Sequence, residues 1–280
     1  MRRERISENV YWFKSDIYAQ VTAGVVAGPL WAVVIDTLAM PEETLMMRAF
    51  VEEDLQVPVR YVINTHHHAD HCWGNCFFPG ATLLAHSLCR QYMIDIEMDA
   101  LETAKKQSPD FIQSKIKVPH LTLSTGTISL RVGKKTLSIF PTPGNSDDGI
   151  SVLIVEDRVL FAGDVFMPIP FIVEGDIDLL YKSIDMIGKM GLENIVQGHG
   201  DIILRGEIQN AVKENLDYLS AVKRAVRIAS RRKDPIKAIE KIDIESCGKK
   251  RVILGGLAEE LHKRNIFALH QHLISKDNGF

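Results

Sequence analysis

Six residues constrain this chain more than any other feature: His66-His67-His68-Ala69-Asp70-His71, which begin two residues after the run Val59-Arg60-Tyr61-Val62-Ile63-Asn64. Valine, isoleucine and tyrosine predict a short buried strand for that run. A loop leaving a strand can turn several side chains toward one point. Imidazole nitrogens and carboxylate oxygens are good ligands for zinc and related divalent ions. One histidine in such a place is ordinarily a satisfied polar residue of the core. Four ligand-type side chains within six positions, His66, His68, Asp70 and His71, are not explained that way.

Three later segments repeat the pattern of a polar residue at the end of an apolar run. They are Pro141-Thr142-Pro143-Gly144-Asn145-Ser146-Asp147-Asp148-Gly149, Leu160-Phe161-Ala162-Gly163-Asp164 and Gln197-Gly198-His199-Gly200. Glycine in each allows a sharp turn or close backbone approach, and strand ends are where a rigid scaffold presents site residues.

With these motifs in this order, the chain from about Val10 to Asp201 resembles the metallo-β-lactamase superfamily. The resemblance implies an α/β fold: an αββα sandwich of two mixed sheets flanked by helices, with the metal site at one sheet edge. It implies that His66 and His68 bind a first metal, that Asp70, His71 and His199 bind a second, and that Asp164 bridges both. Asp36, ending Val33-Val34-Ile35, matches an aspartate that orients the histidine loop from behind the ligands. His67 is not expected to be a ligand. One position departs from the pattern. The family usually has a histidine after Thr-Pro-Gly, and here the residue is Asn145. A neutral amide is a weaker zinc donor than imidazole, so the first site is expected to bind zinc less tightly or to take a more oxygen-tolerant ion. Asn145 is then a weak ligand, a substrate contact or a position without special role.

Asp164 narrows the branch. The true β-lactamases of the superfamily usually have cysteine or serine there, whereas aspartate resembles the glyoxalase II and lactonase type. The expected activity is attack by metal-activated water on an ester, lactone, thioester or amide-type small molecule, with Asp70 and Asp164 as catalytic carboxylates. The alternatives are a promiscuous β-lactamase-like hydrolase, an RNA or phosphodiester hydrolase, an iron-dependent oxidoreductase on the same scaffold, and a non-enzymatic metal-binding protein. No Gly-x-Ser-x-Gly elbow supports a serine mechanism. The expected cofactor is one or two divalent ions, zinc before manganese or iron.

The 280 residues suit one large two-sheet domain. We read residues 1–205 as the metallo-β-lactamase-like core and 206–280 as a helical C-terminal extension packed on it. A net charge of -3 gives no argument for nucleic acid or an anionic membrane. The basic stretch over 213–251 has acids such as Glu214, Asp217 and Asp234 interspersed, which reads as a solvated helical face. Ile17 to Ile35 is long enough to span a bilayer, but Gly24, Gly28, Pro29 and its valines predict two strands around a Gly-Pro turn. The start shows no signal-peptide pattern. The expectation is a cytoplasmic protein acting on a small molecule, without nucleic acid or membrane partner, with homo-oligomerisation left open. Cys72, Cys76, Cys89 and Cys247 form no Cys-x-x-Cys pair and read as reduced thiols. The apolar run Val165 to Ile172 and the stretch Tyr92 to Met98 could each wall a substrate pocket or simply pack in the core.

Overall fold

Alternation along the strands decides which surfaces must be covered. In the computed structural model, which describes residues 1–277, Ala32 and Val34 pack to one side of their strand while Val33 and Ile35 pack to the other. Strands buried on both faces belong in the middle of a layered fold.

The first sheet holds seven strands in chain order: β1 (Arg2–Ser7), β2 (Val10–Lys14), β3 (Thr22–Ala27), β4 (Ala32–Ile35), β5 (Val59–Ile63), β6 (Thr82–His86) and β7 (Leu121–Leu123). The second holds β8 (Ile128–Val132), β9 (Lys135–Pro141), β10 (Ile150–Ile154), β11 (Val159–Gly163), β12 (Asn194–Gln197) and β13 (Ile203–Leu204), in the order β13-β12-β11-β10-β9-β8. Both sheets are mixed. Pairing is antiparallel through β4 and parallel from β4 to β7 in the first, and only β11–β12 is parallel in the second.

Between the sheets lie Trp12, Val33, Ile35 and Ile63 from one side and Ile139, Val152, Phe161 and Val196 from the other. The outer face of the first sheet is covered by α1 (Pro41–Ala49), whose Met47 is fully buried there. Next along the chain come α2 (Ala69–Cys72), α3 (Ser87–Tyr92) and α4 (Met98–Gln107). The outer face of the second sheet is covered by α5 (Ile177–Gly188), α6 (Ile208–Ala229), the short α7 (Pro235–Ile239) and α8 (Leu257–Asp277). The result is the expected αββα sandwich.

Ile17 to Ile35 forms a turn and then β3 and β4, joined at Gly28-Pro29. No helix among the described residues is long and apolar enough to cross a membrane. Helical structure after Ser87 stops at Gln107 apart from a short turn at Pro109–Phe111. Residues 278–280 of the expected helical C-terminal segment lie outside the described residues.

The topology positions the site through two of its parallel pairs. Ile35 lies opposite Ile63, and Gly163 opposite Gln197. Parallel neighbours end on the same side, so Asp36, the histidine loop, Asp164 and His199 all leave the sheets at one edge. The edge is sewn shut by Thr22 N donating to Gly198 O at 2.9 Å and Gly200 N to Gln20 O at 2.9 Å.

Candidate metal centre

Each imidazole at this edge has one nitrogen committed to a fixed partner. Asp36 takes a left-handed backbone (φ 57°), a conformation short polar side chains tolerate. Its carboxylate accepts from Thr65 N and Thr65 Oγ1, each at 2.7 Å, and holds His71 Nδ1 at 2.8 Å. The Thr65 hydroxyl, having given its proton to Asp36, receives His66 Nδ1 at 3.1 Å. His199 Nδ1 donates to Ala19 O at 2.9 Å. These bonds assign the protons to Nδ1 and leave Nε2 of His66, His71 and His199 with free lone pairs.

The free atoms converge. Asp164 Oδ1 lies 3.3 Å from His71 Nε2 and 3.5 Å from His199 Nε2. Asp70 stands 3.4 Å from His199 Nε2 and 3.9 Å from His71 Nε2. Ligand bonds of about 2.1 Å around a tetrahedral ion give edges of about 3.4 Å. His71 Nε2 and Asp164 Oδ1 are buried without a hydrogen-bond partner among the described residues. Two orphaned polar atoms facing each other are costly unless something satisfies both. A divalent cation fits that requirement and this donor set. Gly198 makes the approach possible, because a Cβ there would fall 1.8 Å from Asp164 Oδ1.

The clustered carboxylates give the site a field that favours positive charge. Burial works against charge on His71, yet Asp164, Asp36 and Asp70 hold it well above the usual imidazole range. Burial likewise opposes ionisation of Asp164, but His199, His71 and His66 hold it well below the usual carboxylate range. Desolvation by burial keeps His66 lowered, reinforced by its neighbour His71.

The remaining expected residues are arranged less simply. His66 Nε2 is 2.9 Å from His68 Nδ1 and 3.6 Å from Asp164 Oδ2. Among the described residues, three sets bring ligand atoms within 4.8 Å of one another: His66, His71 and Asp164; Asp70, His71 and His199; and His67, His68 and Glu174. The expected trio of His66, His68 and Asp164 is not among these. Asn145 is buried and donates from Nδ2 to Phe171 O at 3.0 Å, while its Oδ1 has no partner among the described residues. With His66 and Asp164 it lines a small cavity of about 10 Å³. Cys72 is a buried thiol donating to His67 O at 2.8 Å.

Sequence reasoning missed Thr65 and Glu174. Thr65 stands directly before the motif, and its hydroxyl beside His66 was a readable signal. Glu174 has no local signal. It lies 106 residues from His68, and its Oε2 sits 3.1 Å from His68 Nε2.

Over the centre opens a cavity of about 800 Å³. Its floor is Asp70, Asp164 and His199, and its apolar walls include Met167 and Phe171. The run Val165 to Ile172 thus does both jobs, since Phe166 and Ile169 turn into the core. Leu254, just before α8, and Leu257, Leu261 and Arg264 on that helix close the far side. Of the stretch Tyr92 to Met98, Glu97 reaches the cavity, Tyr92 packs its ring 4.9 Å from that of His67, and Met93 is core.

The profile of the metallo-beta-lactamase superfamily matches residues 18–231, most of the chain, and includes every ligand named above. The chain belongs to the metallo-beta-lactamase superfamily. Superfamily structures share its fold at low identity. A metallo-beta-lactamase family protein from Thermus thermophilus aligns with a TM-score of 0.72 at 17% identity, covering 98% of this chain and 95% of that one. The stereoselective inverting sec-alkylsulfatase of a Pseudomonas sp. aligns at 0.75 and 14% identity, covering 99% of this chain but 51% of that one. A metallo-beta-lactamase from Pontibacter korlensis aligns at 0.61 and 17% identity, covering 76% and 98%. Superfamily membership together with the clustered His and Asp side chains makes this a metal-dependent hydrolase in the general sense.

Proposed function

We propose that the substrate is a small molecule with an ester, lactone, thioester or amide-type bond, and that Asp70, His71, Asp164 and His199 hold the catalytic ion. The observation that supports this is the ligand cluster at the floor of a largely apolar cavity of about 800 Å³, a size suited to a small organic molecule. Held there, a divalent ion would acidify a water and polarise the electrophile's oxygen.

The chain's own groups do the rest. Asp36, Thr65 and the Ala19 carbonyl fix the tautomers of His71, His66 and His199, so the donor lone pairs need no reorganisation. Asp70, its side chain 13% exposed, is the carboxylate open to the cavity and accepts the proton released by the attacking water. Met167, Phe171 and the α8 leucines seat the apolar part of the substrate and exclude bulk water. The acids Asp70, Glu97, Asp164 and Glu260 outnumber Arg264 in the lining, which disfavours a polyanion such as RNA. Zinc is the proposed ion because histidine with carboxylate suits it. Four free thiols, three of them buried, support the proposed cytoplasmic setting.

Metal analysis of the purified protein, then a panel of esters, lactones, thioesters and amides with metal-loaded and chelated enzyme, tests this. Chelator-sensitive turnover of at least one class is expected. A fully loaded protein inert toward all four would refute it.

A further inference from the structure

We propose that a second divalent ion is held outside the first, by His67 Nε2, His68 Nε2 and Glu174. This rests on the reading of Asp70, His71, Asp164 and His199 as the ligands of the catalytic ion, called the first ion from here on.

Glu174 Oε2 lies 3.1 Å from His68 Nε2 and 3.5 Å from His67 Nε2. Two imidazoles and one carboxylate thus present an atom each within 4.8 Å of one another. His67 is backed as metal-binding histidines are: its Nδ1 lies 3.1 Å from Asp148 Oδ1. Asp148 is fully buried and its Oδ2 has no hydrogen-bond partner among the described residues. A buried carboxylate behind an imidazole makes that imidazole a stronger donor.

His68 decides between two places. A neutral imidazole has one lone pair. If His68 Nδ1 coordinates, the ion lies on the inner side with His66. The other inner donors are then the neutral Asn145 amide and Asp164, which already serves the first ion. If Nε2 coordinates, the ion lies on the outer side with His67 and Glu174, three donors that the first ion does not use. The second choice also closes the hydrogen bonds. His68 Nδ1–H donates to the free His66 Nε2 at 2.9 Å, and His66 Nδ1–H donates to Thr65 Oγ1 at 3.1 Å. The geometry therefore compensates for asparagine at position 145 with His67 and Glu174.

The outer ion would have a mechanical role. Glu174 stands in the segment between Phe171 and α5, and Phe171 lines the substrate cavity. That segment is tied to the 144–149 turn by Asn145 Nδ2 donating to Phe171 O at 3.0 Å and Asp176 N to Gly144 O at 3.1 Å. An ion on Glu174 and the two histidines clips this wall to the histidine loop.

Equilibrium dialysis of the full chain against micromolar zinc, with metal counted per polypeptide, tests the proposal. Wild type should hold two equivalents. Glu174→Gln, at a half-exposed position, should lose one, because its amide can donate to His68 Nε2 and keep the contact but is a poor zinc ligand. His67→Gln, which keeps a donor for Asp148, should also lose one, and Asn145→Ala should keep both. A melting temperature near that of wild type would show that each variant is folded. Two equivalents in Glu174→Gln, one in wild type, or loss of the second in Asn145→Ala would overturn the outer site while leaving the first centre standing. No bound zinc in wild type would instead remove the reading on which the proposal rests.

Discussion

Asp36→Asn should weaken the centre's hold on metal while leaving its shape nearly unchanged. The carboxylate takes three hydrogen bonds, from Thr65 N, Thr65 Oγ1 and His71 Nδ1. An asparagine can still accept from Thr65 N, but its amide must donate where the carboxylate accepted. His71 Nδ1 then becomes an acceptor and its proton moves to Nε2, the atom that must carry a lone pair for metal. The Thr65 hydroxyl, now an acceptor from the amide, turns its own proton toward His66 Nδ1, and His66 changes tautomer with it. One substitution rewires two histidines. Losing a hydrogen bond that fixes a ligand costs about 10–100-fold in metal affinity, or about 1.4–2.7 kcal/mol. Converting three charge-assisted bonds to neutral ones costs about 1 kcal/mol each, so the metal-free fold should lose about 3 kcal/mol. For a domain of this size that is a fall of about 6–12 °C in melting temperature. Zinc affinity by competition with a chromophoric chelator, and thermal unfolding of the chelated protein, read the two effects separately. A variant with wild-type zinc affinity would show that Asp36 does not set the tautomer, whatever happens to its stability.

Asp164→Ala should remove the first ion and activity together, whereas Asp147→Ala, an exposed neighbour of the 144–149 turn, should change neither by more than about twofold, its stability effect staying within about 0.5 kcal/mol; metal counts and turnover of the two variants check this. Asn145→His should draw the second ion to the inner side, since an imidazole there joins His66 and Asp164 as a strong donor; the double variant with Glu174→Gln should then still hold two equivalents by dialysis, and a fall to one would place residue 145 outside any ion's reach. Lys249→Met should stabilise the fold. Lys249 is buried with its amine on Asn215 Oδ1 at 2.7 Å, and burial lowers its pKa from 10.5 to about 8 despite the nearby Glu214. Below pH 8 the folded chain must hold a proton it binds poorly, a cost of about 3 kcal/mol that disappears as pH rises toward 10.5. The variant's advantage at pH 7, less about 1 kcal/mol for the lost hydrogen bond, should therefore shrink with rising pH in chemical denaturation; an advantage that grows would reverse the assignment.

The first centre was legible because its residues obey a local rule. Asp36, Asp164 and His199 each lie just past an apolar strand, and Asp70 and His71 stand in the histidine run that follows another, so their pattern survives in one dimension. β1 was not legible. Its Arg2-Arg3-Glu4-Arg5 is mostly exposed and has no apolar face to give it a period; pairing with β2 alone makes it a strand, and charge suits an edge. Glu174 was equally hidden, since a glutamate in an irregular segment acquires meaning only from the histidines that folding brings to it. The apolar run before it reads as pocket or core, and the irregular segment serves as both: Met167 and Phe171 line the cavity while Phe166 and Ile169 pack in the core.

The substrate wall and the metal floor come from different stretches of chain. Every proposed ligand of the first ion lies at or before His199, whereas Leu257, Leu261 and Arg264 belong to α8. During synthesis the ligands leave the ribosome well before the residues that close the cavity over them. Heritable change can act on the two separately as well. Substitutions along one face of α8 alter which molecules are admitted without touching the atoms that hold the ion, so a lineage could exchange one substrate for another while its hydrolytic chemistry stayed constant.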